Sequence, residues 1–174
     1  MRSMTPRAWA ATAAVCLVLV ACSGSAGSAT PTGSLLPSTA DALPQLDAGG
    51  FSTLLSQQRG TPVVVNFWAA WCPPCRAEAP LLSAAAERHG DRVRFIGVDV
   101  QDNRADAEGY ISQYGLPYPS VFDPANAIGP GYDLFAPPAT LFFNANGDLV
   151  RAIPGQISEQ DLHDGIRLIT GPAE

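Results

Sequence analysis

Apolar runs and amphipathic stretches alternate along most of the chain. Val63 to Trp68 is apolar at nearly every position and rich in valine, which predicts a buried strand. The same reading predicts further strands at Val93 to Val100, Ser120 to Phe122, Leu141 to Phe143 and Leu149 to Ile153, the last two joined by an Asn-Gly hairpin. Apolar positions at helical spacing and end signals predict helices at Phe51 to Gln58, Pro73 to His89, Asp102 or Asn103 to Tyr114, and after a capping sequence that begins at Ser158.

The start of the chain predicts an export signal over residues 1–21. Two arginines give a basic beginning, and residues 8–21 form an uncharged, mostly apolar stretch that is short for a membrane span. Its end, Leu-Val-Ala-Cys at residues 19–22, resembles the bacterial lipobox, in which the cysteine is lipidated and becomes the mature N-terminus. We expect lipid on Cys22 to hold the chain at a membrane surface, and an ordinary cleaved signal is the alternative.

Composition divides the remaining chain into a tether and one domain. Residues 22–40 are rich in Ser, Gly, Ala, Thr and Pro, which predicts a flexible tether, and residues 41–172 supply the length of a single domain. Removing Arg2 and Arg7 with the signal leaves 8 of the 10 basic residues against 16 acidic ones, a net charge of about −8. An acidic domain without a basic patch argues against nucleic acid as a partner.

Cys-Pro-Pro-Cys at residues 72–75 is the strongest chemical signal, because it follows a buried strand and opens a helix. Cys72 then lies at a helix N-terminus, where N–H groups and the helix dipole stabilise a thiolate, the nucleophile of thiol–disulfide exchange. Pro73 suits the first helical position, and because Pro74 also lacks an N–H, the Cys75 N–H is the donor that remains for the Cys72 sulfur. We expect Cys72, nearer the helix end and more exposed, to attack, and Cys75 to resolve.

Two other uses of the cysteine pair stay open at this point. A zinc site needs four ligands, and only His89 and His163, far apart and unpaired, could add to the two thiolates, so this use is disfavoured. A purely structural disulfide would close a very short loop and add little stability. Cys16 leaves with the signal and Cys22 is expected to carry lipid, so an exported chain keeps one close pair, which favours a redox role.

The segment from Val65 to Pro80, which contains Trp-Cys-Pro-Pro-Cys, resembles the active-site segment of the thioredoxin superfamily, and in particular of the membrane-tethered TlpA/ResA/CcmG-type thiol–disulfide oxidoreductases. Residues 137–143 resemble the cis-proline loop and the strand after it. The resemblance covers residues 43–170 and implies a thioredoxin-like three-layer α/β/α fold, with a central mixed sheet and helices on both faces. Residues 102–137 resemble the helix-and-strand insertion of the TlpA-like branch.

The resemblance also implies how the resolving thiol loses its proton. Cytoplasmic thioredoxin carries a buried aspartate where this chain has Asn66, and an amide cannot accept a proton from Cys75. Glu78, one helical turn beyond Cys75, matches a glutamate of the TlpA-like branch. We expect its carboxylate to raise the pKa of the Cys75 thiol and to accept its proton. A solvent-exposed Glu78 paired with Arg76 or Arg88 is the alternative.

By the same resemblance, the partner-binding surface contains Trp71, Pro73, Pro137 and Pro138. Pro138 is the expected cis-proline beside the cysteines. The residue before it usually offers an N–H to the substrate backbone, but here it is Pro137, so we expect one hydrogen bond to a bound peptide to be absent. Trp71 is expected at the surface, whereas Trp68 is expected in the core.

The resemblance predicts a thiol–disulfide oxidoreductase of the bacterial cell envelope, a monomer held by lipid on the extracytoplasmic side, which requires no organic cofactor or metal. It implies that protein disulfides are reduced, including those of apocytochrome c before haem attachment, with electrons from a membrane transporter of the CcdA type. The reverse direction, disulfide formation in exported proteins, is the main alternative, because direction depends on the reduction potential. A non-catalytic copper or zinc carrier that uses both thiolates is an alternative of another class.

Overall fold

The computed structural model describes residues 33–171, in which a five-stranded sheet is flanked by helices. The strands are β1 (Val63–Trp68), β2 (Arg94–Val100), β3 (Ser120–Asp123), β4 (Ala139–Phe143) and β5 (Leu149–Pro154). The helices are α1 (Ala48–Gln57), α2 (Pro73–His89), α3 (Arg104–Tyr114) and α4 (Glu159–Thr170), with a 3-10 turn at Gly129–Tyr132.

The sheet has the strand order β3-β2-β1-β4-β5 and is mixed. β1, β2 and β3 are parallel, whereas β4 is antiparallel to both β1 and β5. The three parallel strands alternate with helices along the chain, because parallel neighbours need a long crossover connection. The antiparallel pair β4 and β5 is joined by the predicted hairpin. Phe67 pairs with Ala139, so the end of β1 and the start of β4 meet at the same edge of the sheet.

Helices cover both faces of the sheet, and this confirms the predicted thioredoxin-like α/β/α architecture. One core contains residues of α2, α3 and α4, among them Leu82, Ile111 and Ile166. The other core contains Phe51 and Leu54 of α1, together with Tyr132 of the 3-10 turn. β1 is buried along its whole length because it is covered on both faces, which is why its sequence is apolar without alternation.

Polar side chains determine where three of the helices begin. Asp47, Asn103 and Ser158 each accept a hydrogen bond from the backbone N–H three residues further on. α1 therefore begins before the predicted Phe51. Asn103, and not Asp102, is the N-cap of α3, which leaves the Asp102 carboxylate available for another contact.

The last part of the predicted tether contacts α1. The Leu35 N–H donates to Gln57 Oε1 at 2.9 Å, and Gln57 Nε2 donates to the Gly33 carbonyl at 3.0 Å. Leu35 and Leu36 pack against the core on the α1 face. The predicted signal, Cys22 and the rest of the predicted tether lie outside the described residues, and they stay predictions. Within residues 33–171, the helices are too short or too polar for any of them to span a membrane.

Candidate active site

The cysteine pair lies where β1 gives way to α2. The strand ends at Trp68, α2 begins at Pro73, and Cys72 is its N-cap residue. Cys72 and Cys75 form a disulfide bond. The Cys75 N–H donates to the Cys72 sulfur at 3.2 Å, as the two intervening prolines predicted. In the reduced protein this donor and the helix N-terminus would stabilise a thiolate on Cys72.

The two cysteines do not differ in solvent exposure as the sequence predicted. Cys72 is 1% exposed and Cys75 is 0% exposed, because both pack in the core beside Trp68 and Ala79. The expectation that exposure distinguishes Cys72 is therefore wrong for the disulfide form. What distinguishes Cys72 is its place at the helix N-terminus.

Glu78 lies in the interior and is 2% exposed. Its carboxylate accepts a hydrogen bond from Asn66 Nδ2 at 2.8 Å and another from the Ile157 N–H at 2.9 Å. The alternative of an exposed Glu78 paired with Arg76 or Arg88 is wrong, because the carboxylate points into the protein toward β1 and the segment before α4. Burial raises the pKa of Glu78 above its ordinary value, although the two N–H donors act in the opposite direction.

Pro138 follows a cis peptide bond, as predicted, and lies directly before β4. Pro138 is buried and Pro137 is half-buried. Because Phe67 of β1 pairs with Ala139 of β4, the two prolines lie at the edge of the sheet where β1 leads to the cysteines. The fold therefore brings the two sequence landmarks to the same end of the molecule.

Two tryptophans lie close to the cysteines in the sequence, one exposed and one buried. Trp71 is 50% exposed, as predicted, and its Nε1 donates to the Gln101 carbonyl at 2.9 Å. Trp68 is fully buried, also as predicted, and stacks on Tyr110 with ring centroids 4.4 Å apart. The Tyr110 hydroxyl donates to the Cys75 carbonyl at 2.9 Å, so this aromatic pair contacts the first turn of α2.

The sequence pattern did not predict a role for two carboxyl groups near the cysteine segment, Asp99 and Asp102. Asp102 Oδ2 accepts a hydrogen bond from the Ala70 N–H at 2.6 Å. Asp99 is 0% exposed, and its carboxyl oxygens accept no hydrogen bond from the described residues. The sequence contained one sign of this, because Asp99 interrupts the apolar run at residues 95–100, where a buried aspartate is rare.

Comparisons with known proteins agree with this geometry. The sequence model of the Redoxin family matches residues 25–166. The thiol-disulfide oxidoreductase ResA of Bacillus subtilis is 29% identical over 124 residues, which cover 71% of this chain and 69% of that protein. The thiol:disulfide interchange protein DsbE homolog of Paracoccus denitrificans is 34% identical over 99 residues, 56% of this chain and 53% of that protein, so the match spans about half of it.

The chain also has the same fold as a solved structure of a disulfide oxidoreductase. A secreted disulfide oxidoreductase of Mycobacterium tuberculosis, homologous to E. coli DsbE, superposes with a TM-score of 0.59 at 28% sequence identity. The superposition covers 65% of this chain and 85% of that chain.

Proposed function

The chain belongs to the Redoxin family and is a thiol–disulfide oxidoreductase of the ResA and DsbE type, and from this premise we propose that it reduces protein disulfides outside the cytoplasm. The reducing direction rests on the resemblance to the TlpA/ResA/CcmG-type proteins. The observation that carries the exchange activity itself is the Cys72 sulfur at the N-terminus of α2, where it accepts the Cys75 N–H. This arrangement favours the thiolate that attacks a disulfide.

The proposed reaction starts from the reduced protein. The Cys72 thiolate attacks one sulfur of the partner disulfide, a Cys72–partner disulfide forms, and the other partner sulfur leaves as a thiolate that takes up a proton. Cys75 loses its proton and attacks the Cys72 sulfur, and the second partner sulfur leaves as a thiolate. Two electrons pass from the cysteine pair to the partner, and the protein ends with the Cys72–Cys75 bond seen in this structure.

Glu78 is the proposed acceptor of the Cys75 proton. It lies one helical turn beyond Cys75 on α2, and its carboxylate is buried with a raised pKa, so it binds a proton more readily than an exposed carboxylate does. Asn66 takes a different part, because its amide donates to Glu78 and so fixes the direction of the carboxylate.

The partner is proposed to bind where the cysteine segment and the cis-proline loop meet, at Trp71, Pro73, Pro137 and Pro138. Trp71 is half-exposed and Phe135, two residues before Pro137, is 69% exposed, and exposed aromatic side chains are typical of protein-binding surfaces. Pro137 has no N–H to offer to a partner backbone. Replacing it in a Pro137→Val variant should lower KM for a protein disulfide substrate, and unchanged kinetics would contradict this role.

The location and the electron supply are also proposals. The Leu-Val-Ala-Cys sequence at residues 19–22 supports lipid on Cys22 and attachment to the extracytoplasmic side of the membrane. By resemblance, a CcdA-type membrane protein would supply electrons, and apocytochrome c would be among the substrates. Mass spectrometry of the mature N-terminus tests the anchor: the proposal predicts an acylated Cys22, and a free thiol at that position would contradict it.

A trapping experiment tests the order of attack. Reduced Cys75→Ser protein should form a stable mixed disulfide with insulin through Cys72, because no second thiol is present to release it. Reduced Cys72→Ser protein, the matched control, should form little adduct. Mass spectrometry under non-reducing conditions measures both adducts, and equal amounts from the two variants would rule out Cys72 as the attacking residue.

A further inference from the structure

The turn after β2 contacts the segment before Cys72 at two points. Asp102 Oδ2 accepts the Ala70 N–H at 2.6 Å, and the Gln101 carbonyl accepts the Trp71 indole N–H at 2.9 Å. Gln101 has a φ of 53°, in the left-handed region that residues other than glycine seldom adopt. The turn therefore fixes both residues that directly precede the reactive cysteine.

Asp99 is the second-last residue of β2, directly before this turn. Its side chain is fully buried, and the Asp102 carboxyl three residues further on raises the pKa of Asp99, both by its charge and as a hydrogen-bond partner. Asp102 accepts N–H bonds on both oxygens, one from Ala70 and one from Asn103, which is the arrangement of an ionised carboxylate. A buried carboxyl that accepts no hydrogen bond and lies beside a carboxylate is stable only if it carries a proton.

We propose that Asp99 is a positioning residue for Cys72: it carries the single proton of a carboxyl pair with Asp102, and the hydrogen bond that it donates keeps Asp102 on the Ala70 amide. Asp99 does not touch the sulfur and acts through Asp102 and the segment that leads to Cys72. The pairing stands on the geometry of β2 and its turn, whereas its effect on Cys72 rests on the proposed exchange function.

The charges around Asp99 determine the pH at which it loses the proton that it shares with Asp102. Its pKa is raised to about 8, mainly by burial and then by Asp102, with Asp123 at the end of β3 acting in the same direction and Arg104 of α3 opposing it. Burial, and to a smaller extent nearby charges that include Asp99, raise the pKa of Tyr110 on α3, so its hydroxyl stays neutral in this range. Once Asp99 ionises, two adjacent carboxylates repel each other, and the hydrogen bond between Asp102 and the Ala70 N–H is weakened.

An NMR titration of the full-length, isotope-labelled protein in its disulfide form tests the pairing without interference from thiols. The Asp99 carboxyl carbon and the Ala70 amide should shift together, with a midpoint near the pKa of about 8. Asp99→Asn keeps a neutral donor of the same size, so its Ala70 amide should show no such transition. Glu78→Gln is the matched control and should keep it. A wild-type Ala70 amide without this transition, or an unchanged transition in Asp99→Asn, would overturn the pairing.

A second variant keeps the test decisive if Asp99→Asn does not fold. Asp102→Asn retains an oxygen for the Ala70 N–H but removes the negative charge beside Asp99. The midpoint of the Asp99 carboxyl signal should then move to lower pH. A midpoint that stays in place would show that the two carboxyl groups do not interact, and it would overturn the pairing.

The effect on Cys72 is measured as a ratio of rates. The rate constant for reduction of the disulfide by dithiothreitol is compared between wild type and Asp99→Asn, so that the pH dependence of the reductant cancels. The ratio should be constant below about pH 7 and change several-fold as Asp99 ionises, near its pKa of about 8. A constant ratio would overturn the positioning role and leave the exchange function standing, whereas absence of thiol–disulfide exchange in both proteins would overturn that function.

Discussion

At the scale of single residues, Glu78 combines burial with two hydrogen-bond donors. The Asn66 amide and the Ile157 N–H each bond one carboxylate oxygen, which allows the charged form inside the protein. Burial still keeps the pKa of Glu78 above its ordinary value. The result is a carboxyl group that can gain and lose a proton one helical turn from Cys75.

Glu78→Gln should slow the second step of exchange by about tenfold or more, because an amide cannot accept the Cys75 proton. The wild-type rate should fall as the pH drops through the raised pKa of Glu78, and the variant should lack this dependence. Stopped-flow fluorescence of mixed-disulfide resolution measures both effects. Glu87→Gln, on the exposed side of the same helix, is the control. Identical rates and pH profiles for Glu78→Gln and wild type would exclude Glu78 as the acceptor.

Asp99 gives a prediction about stability and pH. The folded protein holds the Asp99 proton up to a pKa of about 8, whereas the unfolded chain releases it near a pKa of about 4. The free energy of unfolding of the wild type should therefore fall, relative to that of Asp99→Asn, by about 1.4 kcal/mol for each pH unit between these two values. Urea unfolding at about pH 5 and about pH 8 measures the change. An equal pH dependence for the two proteins would contradict a protonated Asp99.

Some of these residues could be predicted from the sequence, whereas others could not, for a physical reason. The cysteines and Glu78 lie within two helical turns of each other, so a local motif places them. The Asp102 contact with Ala70 joins the ends of two strands that are separated by the whole of α2. Such a contact depends on the register of β1 and β2, which leaves no local pattern in the sequence.

At the scale of secondary structure, α4 packs on β4 through a glycine. A Cβ atom at Gly165 would overlap the ring of Phe142, whereas a Cβ atom at Gly109 of α3 would meet no atom within 4 Å. The two positions are both helical, so they share the same gain in helix propensity on substitution and differ only in the available space.

Gly165→Ala should therefore lower the free energy of unfolding by about 1–2 kcal/mol, because the overlap with Phe142 outweighs the better helix propensity. Gly109→Ala should raise it by about 0.5–1 kcal/mol, since propensity acts there alone. Urea unfolding of both variants measures the difference. A stabilised Gly165→Ala protein would show that α4 does not pack this closely on β4.

Strong end signals explain which elements the sequence predicted well. β1 and α2 have the predicted bounds, because a continuous apolar run marks the strand, while Pro73 and Gly90 mark the ends of the helix. The 3-10 turn at Gly129–Tyr132 was not predicted, since its Gly-Pro-Gly-Tyr sequence has no periodicity. Tertiary packing supports it instead, and Tyr132 contacts the rings of Phe51, Phe67 and Phe143.

At the scale of the whole molecule, the candidate site is a product of the sheet topology. β1 and β2 are parallel, so the cysteine segment and the Asp99–Asp102 turn leave the sheet at the same edge. β4 is antiparallel to β1, so the cis-proline loop enters at that edge as well. Three segments that are far apart in the sequence meet there, around a disulfide buried beside the core. The succession of strands and helices along the chain was predictable from the pattern, but the contacts among these three segments follow from the directions of the strands.

The reduction potential of the Cys72–Cys75 pair tests most directly whether the protein donates electrons to partner disulfides. It is measured on the full-length protein by equilibration with glutathione or dithiothreitol. We expect a value of about −270 mV or lower, in the range of thioredoxin. A value near about −120 mV would contradict the reducing direction and make the protein an oxidant of thiols. Failure to form the disulfide reversibly would contradict exchange in either direction.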